Sequence, residues 1–203
     1  MITAHAALEA LREGNGRFVS KLSRDAGSAR RLELPARQEP LAIILGCSDA
    51  RVPAEIVFDQ GLGDLFVIRV AGNVVAPSQV DSVEFAAEAF GTRLVVVLGH
   101  SNCGAINATL EQLARPSRNL SSIVDRIRPA VEGLLERAPQ LDRETLEQQA
   151  VRANIRMSVD HLRHGSAVLE QLIRRDGLVV VGAEYSLETG VVDFFEAIGK
   201  RTG

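Results

Sequence analysis

Leu41-Ala42-Ile43-Ile44-Leu45-Gly46-Cys47-Ser48-Asp49-Ala50-Arg51 is the stretch from which the rest of this chain can be read. A second stretch answers it: Leu94-Val95-Val96-Val97-Leu98-Gly99-His100-Ser101-Asn102-Cys103-Gly104. Each apolar run is short and ends at glycine, which predicts a buried strand, and each stops where its chemistry-bearing residues begin. Together the two strand ends offer the thiols of Cys47 and Cys103, the imidazole of His100 and the carboxylate of Asp49, a donor set that zinc accepts.

Outward from these motifs, strands alternate with helices. A short helix over 54–59 follows Pro53, and Gly61-Leu62-Gly63 turns into a strand over 65–70. A helix over 79–90, with Val80, Val83, Ala87 and Phe90 inward, stops at Gly91. Beyond the third strand, helices are predicted over 103–113 and 121–137. A long helix capped by Asp142 follows, with Leu146, Ala150, Ala153 and Met157 inward. His161, four residues after Met157, then reads as packed. A helix over 166–175 leads to a fourth strand, 178–182, and a short fifth, 191–195, with residues 197–199 frayed.

Toward the N-terminus, residues 3–22 predict a helix capped by Thr3, with Leu8, Leu11, Phe18 and Leu22 on one stripe and a break near Gly14 and Gly16. Residues 23–40 are polar without periodicity and read as a connection over the surface. The expectation is a single α/β domain over residues 1–203. It is a mainly parallel β-sheet, core order 2-1-3-4 with a short fifth strand, flanked by helices. An N-terminal helical arm (1–37) precedes the catalytic core (38–203).

Composition narrows the function classes. Among 203 residues, 46% are hydrophobic and 24% charged, which is ordinary for a globular domain. A net charge of −3 argues against a general nucleic-acid binder. No apolar run approaches the roughly 18 residues of a membrane span, and the N-terminus has no signal-peptide pattern. A cytoplasmic protein is the expectation. The only two cysteines lie inside the two motifs, so metal binding or catalysis is favoured over a bridge.

In an open parallel sheet, ligands bind beyond the carboxyl ends of the strands where the strand order reverses. In the order 2-1-3-4 that point lies between strands one and three. Strands about 4.8 Å apart can be spanned by one ion with bonds of about 2.3 Å to sulfur and 2.0 Å to nitrogen. His100 and Cys103 are three apart, and a helix N-terminus there favours the Cys103 thiolate. Asp49 has two options. If Arg51 holds it by a bidentate pair, the metal keeps an open position; if it ligates the metal, the site is closed. An open zinc activates water, and two electron-rich thiolates predict activity that rises toward alkaline pH. Walls from Phe66, Ala71 and Val75 suit a small, uncharged electrophile.

Cys47-Ser48-Asp49-Ala50-Arg51-Val52-Pro53-Ala54-Glu55, with Gly99-His100-Ser101-Asn102-Cys103-Gly104, resembles the β-class carbonic anhydrases. The likeness continues through Gly63–Asn73 and reappears at Tyr185 and Gly190, covering most of the chain from Gln38 to Asp193. It implies one Zn2+ per chain on Cys47, His100 and Cys103, with Asp49 as fourth ligand only in a closed state. Asp49 and Arg51 are implied as the catalytic dyad, with Asp49 accepting a hydrogen bond from zinc-bound hydroxide. The reaction the resemblance implies is reversible hydration of carbon dioxide to bicarbonate and a proton. Gln38 matches a glutamine that reaches a substrate oxygen across a dimer interface, Phe66 and Ala71 match pocket positions, and the Gly104 N–H lies near substrate.

A homo-oligomer, dimer or tetramer, is implied as the partner, with no nucleic acid and no membrane. Leu8, Leu11 and Phe18 are candidates for either that contact or the intrachain core. Ile44 stands where some bacterial members carry a Trp of a regulatory bicarbonate site, although Arg69 and Tyr185 match other parts of it. That form of inhibition is therefore expected to be missing. The rival readings are a carbonyl sulfide or carbon disulfide hydrolase on the same fold, and a non-catalytic zinc-stabilised binding module.

Overall fold

The structure, a computed structural model, describes residues 2–22, 38–114 and 121–195, with residues 112–114 described as backbone only. Five strands form one sheet in the order β2-β1-β3-β4-β5. They are β1 (Ala42–Gly46), β2 (Leu65–Arg69), β3 (Leu94–His100), β4 (Val179–Tyr185) and β5 (Val192–Phe195). The first four are parallel and β5 runs antiparallel to β4, as the alternating pattern predicted. The third and fourth strands run further than the apolar runs suggested, so His100 is itself a strand residue, in register with Tyr185.

The sheet is covered on both faces, so its central strands read as continuous apolar runs. Ile43, Leu45, Val95 and Val97 belong to one buried layer with α3 (Pro77–Ala89), α4 (Gly104–Ala114), α5 (Ser121–Arg137), α6 (Arg143–His164) and α7 (Ala167–Arg175). Ala42, Ile44, Val96 and Leu98 belong to the other, with α1 (Ala4–Val19) and α2 (Ala54–Val57). This division follows from strand residues pointing alternately to opposite faces. No helix among the described residues is long and apolar enough to cross a membrane.

The predicted break in α1 does not occur. The helix runs unbroken from its Thr3 cap to Val19. Gly14 serves close packing instead, since a Cβ there would lie 1.8 Å from the Phe58 carbonyl oxygen. Next to it, buried Asn15 donates to the carbonyls of Val57 and Gly190 and accepts from the Val192 N–H. Leu8 and Leu11 are intrachain core, and half-buried Phe18 packs against that same layer, 6.4 Å from the Tyr185 ring. Leu22 falls beyond the helix and is exposed. The surface connection over 23–37 and the frayed segment over 197–199 lie outside the described residues.

On α6 the buried stripe is Ala150, Val151, Asn154, Ile155, Ser158, Val159 and Leu162. Leu146, Ala153 and Met157 are only half-buried, and His161 is exposed rather than packed. The inward face was misassigned because it includes two polar residues, Asn154 and Ser158, which an apolar-periodicity reading passes over.

Candidate active site

β1 ends at Gly46, which pairs in register with Leu98 of β3. Cys47 is thus the first residue past its strand, while His100 closes the neighbouring one. Cys103 immediately precedes α4. The ligand atoms of these three buried residues all lie within 4.8 Å of one another. Two distant segments are joined here only because their strands are sheet neighbours.

The local bonding fits a soft divalent metal. His100 Nδ1 lies 2.9 Å from the Ser101 carbonyl oxygen, which can only accept. The ring proton therefore sits on Nδ1 and the Nε2 lone pair points away from it. Nε2 is buried and has no hydrogen-bond partner in the described structure. An orphaned imidazole nitrogen beside two thiol sulfurs is a donor set that zinc satisfies. The Gly72 N–H donates to Cys47 Sγ at 3.3 Å.

The sulfurs do not titrate alike. A hydrogen bond from Cys103, aided by His100 and by backbone N–H groups, pulls the Cys47 thiol down. That same bond pushes the Cys103 thiol up, and burial adds to it. The backbone N–H groups of Ala105 and Ile106, at the start of α4, pull the Cys103 thiol the other way, as a helix N-terminus does. Burial opposes charge on His100, but Cys47, the Ser101 carbonyl and Asp49 together raise its pKa.

Asp49 is held by Arg51. Nε and the backbone N–H of Arg51 donate to Oδ1 at 2.9 and 3.0 Å, and Nη2 donates to Oδ2 at 2.7 Å. These bonds keep the Asp49 carboxyl well below the usual carboxylate range. Asp49 Oδ2 lies 3.9 Å from His100 Nε2, at the rim of the cluster. Arg51 also reaches the Asn102 carbonyl at 3.3 Å, so it ties the first motif to the second. Arg69 completes the loop, donating from Nε to the Cys47 carbonyl and from Nη2 to the Asp49 carbonyl.

Ala71 opens a 3-10 turn, Ala71–Asn73, next to the glycine that bonds Cys47. Gly104 is exposed at the start of α4, with open space beside its Cα. Val75 is buried in the core layer. Phe66 is not brought to the cluster. It pairs in register with Ile43 and packs with Phe85 and Phe90, four residues before Cys47 along the sheet. Gln38 is exposed ahead of β1, at that same far end. Ile44 is fully buried beneath α1 in the layer that also holds Tyr185. Asn154 went unmarked in the sequence, and Gly72 stood out only as part of the Gly63–Asn73 likeness, without a role of its own. Their only signal was a glycine beside a motif and a polar residue on an otherwise apolar helix stripe.

Known proteins resemble this chain in sequence and in fold. The family described as carbonic anhydrase matches residues 42–192. Carbonic anhydrase 2 of Mycobacterium tuberculosis (strain CDC 1551 / Oshkosh) is 38% identical over 200 residues, covering 96% of this chain and 94% of the relative. Carbonic anhydrase of Mycolicibacterium smegmatis is 39% identical with the same coverage. Among solved structures, the β-carbonic anhydrase CafA of Aspergillus fumigatus superposes with a TM-score of 0.77 at 25% identity, covering 96% of this chain and 91% of its own. Similarity of this extent, in sequence and in fold alike, makes the chain a member of the β-class carbonic anhydrases.

Proposed function

We propose that this protein catalyses the reversible hydration of carbon dioxide to bicarbonate and a proton, using one zinc ion per chain held by Cys47, His100 and Cys103. When bound, zinc supplies a Lewis acid that makes water a competent nucleophile near neutral pH. The observation that carries the reading is the engagement of both Asp49 oxygens by Arg51. A carboxylate committed to a bidentate pair is poised to accept a hydrogen bond from the nucleophile rather than to close the site as a ligand. Held low by Arg51, Asp49 stays ionised and able to accept at every working pH.

Ala71 offers a small apolar wall beside the cluster, and the exposed Gly104 N–H is free to meet a substrate oxygen. Gln38 and Phe66 lie at the far end of their strands, roughly 3.3 Å per residue away. A contribution from either therefore needs a second copy of the chain. We read the working form as a homo-oligomer, dimer or tetramer. A chain from the crystal structures of two tetrameric β-carbonic anhydrases of Sordaria macrospora shares the fold, with a TM-score of 0.76. Two free cysteines favour a reducing, cytoplasmic setting.

The test is carbon dioxide hydration by the zinc-loaded protein across pH, with carbonyl sulfide and carbon disulfide as competing substrates. Activity on carbon dioxide that rises toward alkaline pH is expected. Asp49→Ala should keep zinc and lose activity by roughly 10²-fold or more. A wild type silent on carbon dioxide at every pH would overturn the reading.

A further inference from the structure

Three buried side-chain atoms among the described residues have no hydrogen-bond partner: His100 Nε2, Asn73 Nδ2 and Asn154 Oδ1. The first belongs to the cluster. Asn73 closes the turn that touches it, and Asn154 is bonded to that turn. Asn154, 1% exposed on α6, donates from Nδ2 to the Gly72 carbonyl at 2.8 Å. One helical turn later, Ser158 Oγ donates to the Asn73 carbonyl at 3.1 Å. Gly72 and Asn73 both have positive φ, 65° and 43°, a left-handed pair whose two carbonyls are each taken by a side chain of α6.

The amide between Ala71 and Gly72 then points its N–H at Cys47 Sγ. A Cβ on Gly72 would come within 2.8 Å of Ile127 Cδ1, so the turn is closed in from the other side as well.

We infer that Asn154 is a positioning residue of the metal centre: its bond to the Gly72 carbonyl fixes the turn whose amide donates to the Cys47 sulfur. The inference rests on the zinc reading above. The carbonyl can only accept, so the Asn154 amide must present its nitrogen there and leave its oxygen unpaired. A buried asparagine with an unpaired acceptor costs stability that a leucine would not. The donor to Gly72 is what that cost secures. Loss of the bond frees the turn, weakens the N–H bond to Cys47, and loosens the grip on the ion.

Release of zinc from the loaded protein into excess chelator measures this directly. Asn154→Leu should release zinc about ten- to a hundredfold faster than wild type, the usual effect of removing a partner that orients a ligand. Asn154→Ser serves the same purpose if the leucine variant does not fold. Val159→Ala, buried on the same helix without a polar group, lowers the melting temperature but should release zinc at the wild-type rate. Wild-type release from both Asn154 variants, or equal acceleration in Val159→Ala, overturns the inference. A wild type that binds no zinc overturns the metal centre itself, and this inference with it.

Discussion

At the scale of single residues, the division of labour at the cluster is set by which groups can donate. The Ser101 carbonyl fixes the His100 tautomer, and Arg51 takes both oxygens of Asp49. The Asp49 pKa in the folded chain lies below its unfolded value of about 3.9. Its pairing therefore contributes fully above that value and is lost only as pH falls through the lower, folded value. Arg51→Gln should move the Asp49 titration, followed by carboxyl NMR, up toward the ordinary carboxylate range, with the backbone N–H of residue 51 retaining part of the shift. An unchanged titration would mean that Arg51 is not what holds it. Cys47, Asp49, Arg51, His100 and Cys103 were all legible in the sequence, because each sits at the end of a recognisable apolar run. The roles of Gly72 and Asn154 were not, because a carbonyl bonded from a distant helix leaves no local pattern.

At the scale of elements, α1 illustrates how packing overrides propensity. Glycine costs about 1 kcal/mol in a helix relative to alanine, so Gly14→Ala ought to stabilise the chain on propensity alone. The Phe58 carbonyl, 1.8 Å from the added Cβ, reverses that sign. Backbone displacement of this kind costs about 1–3 kcal/mol, and the variant should unfold at lower urea than wild type. Asn15→Ala should cost more, roughly 2–4 kcal/mol, since it strands two carbonyls and one N–H in the interior. A neutral result for both would mean that α1 is not docked as described. The helix itself was readable from Thr3 and the leucine stripe. Its tie to β5 was not, being 177 residues distant in sequence.

At the scale of the molecule, the cluster draws on β1, β3 and the start of α4, so an ion there cross-links the middle of the sheet to the helix layer. Ligand binding stabilises a fold by about 4 kcal/mol when free ligand is about 1,000 times its dissociation constant. For a chain of this size each kcal/mol moves the melting temperature by roughly 2–4 °C. Stripping zinc should therefore lower the melting temperature by roughly 8–16 °C, and adding it back should restore the loss in a calorimeter. Identical melting with and without zinc would argue against a shared ion. The open end of the sheet behaves differently: Phe66, Phe85 and Phe90 cluster at β2 and α3, with Phe85 56% exposed. That aromatic surface lies far along the strands from the cluster.

The sequence by itself determined the strand ends, the alternation of strands with helices and the identity of every group in the cluster. It could do so because strand periodicity, glycine stops and donor chemistry are local properties. Only the tertiary structure decided that Arg51, while holding Asp49, also reaches the Asn102 carbonyl of the second motif, that Arg69 reaches back to the Cys47 and Asp49 carbonyls, and that α6 bonds the turn at Gly72. Those outcomes depend on distances between segments far apart in the chain, and such distances exist only once the sheet has brought the segments together.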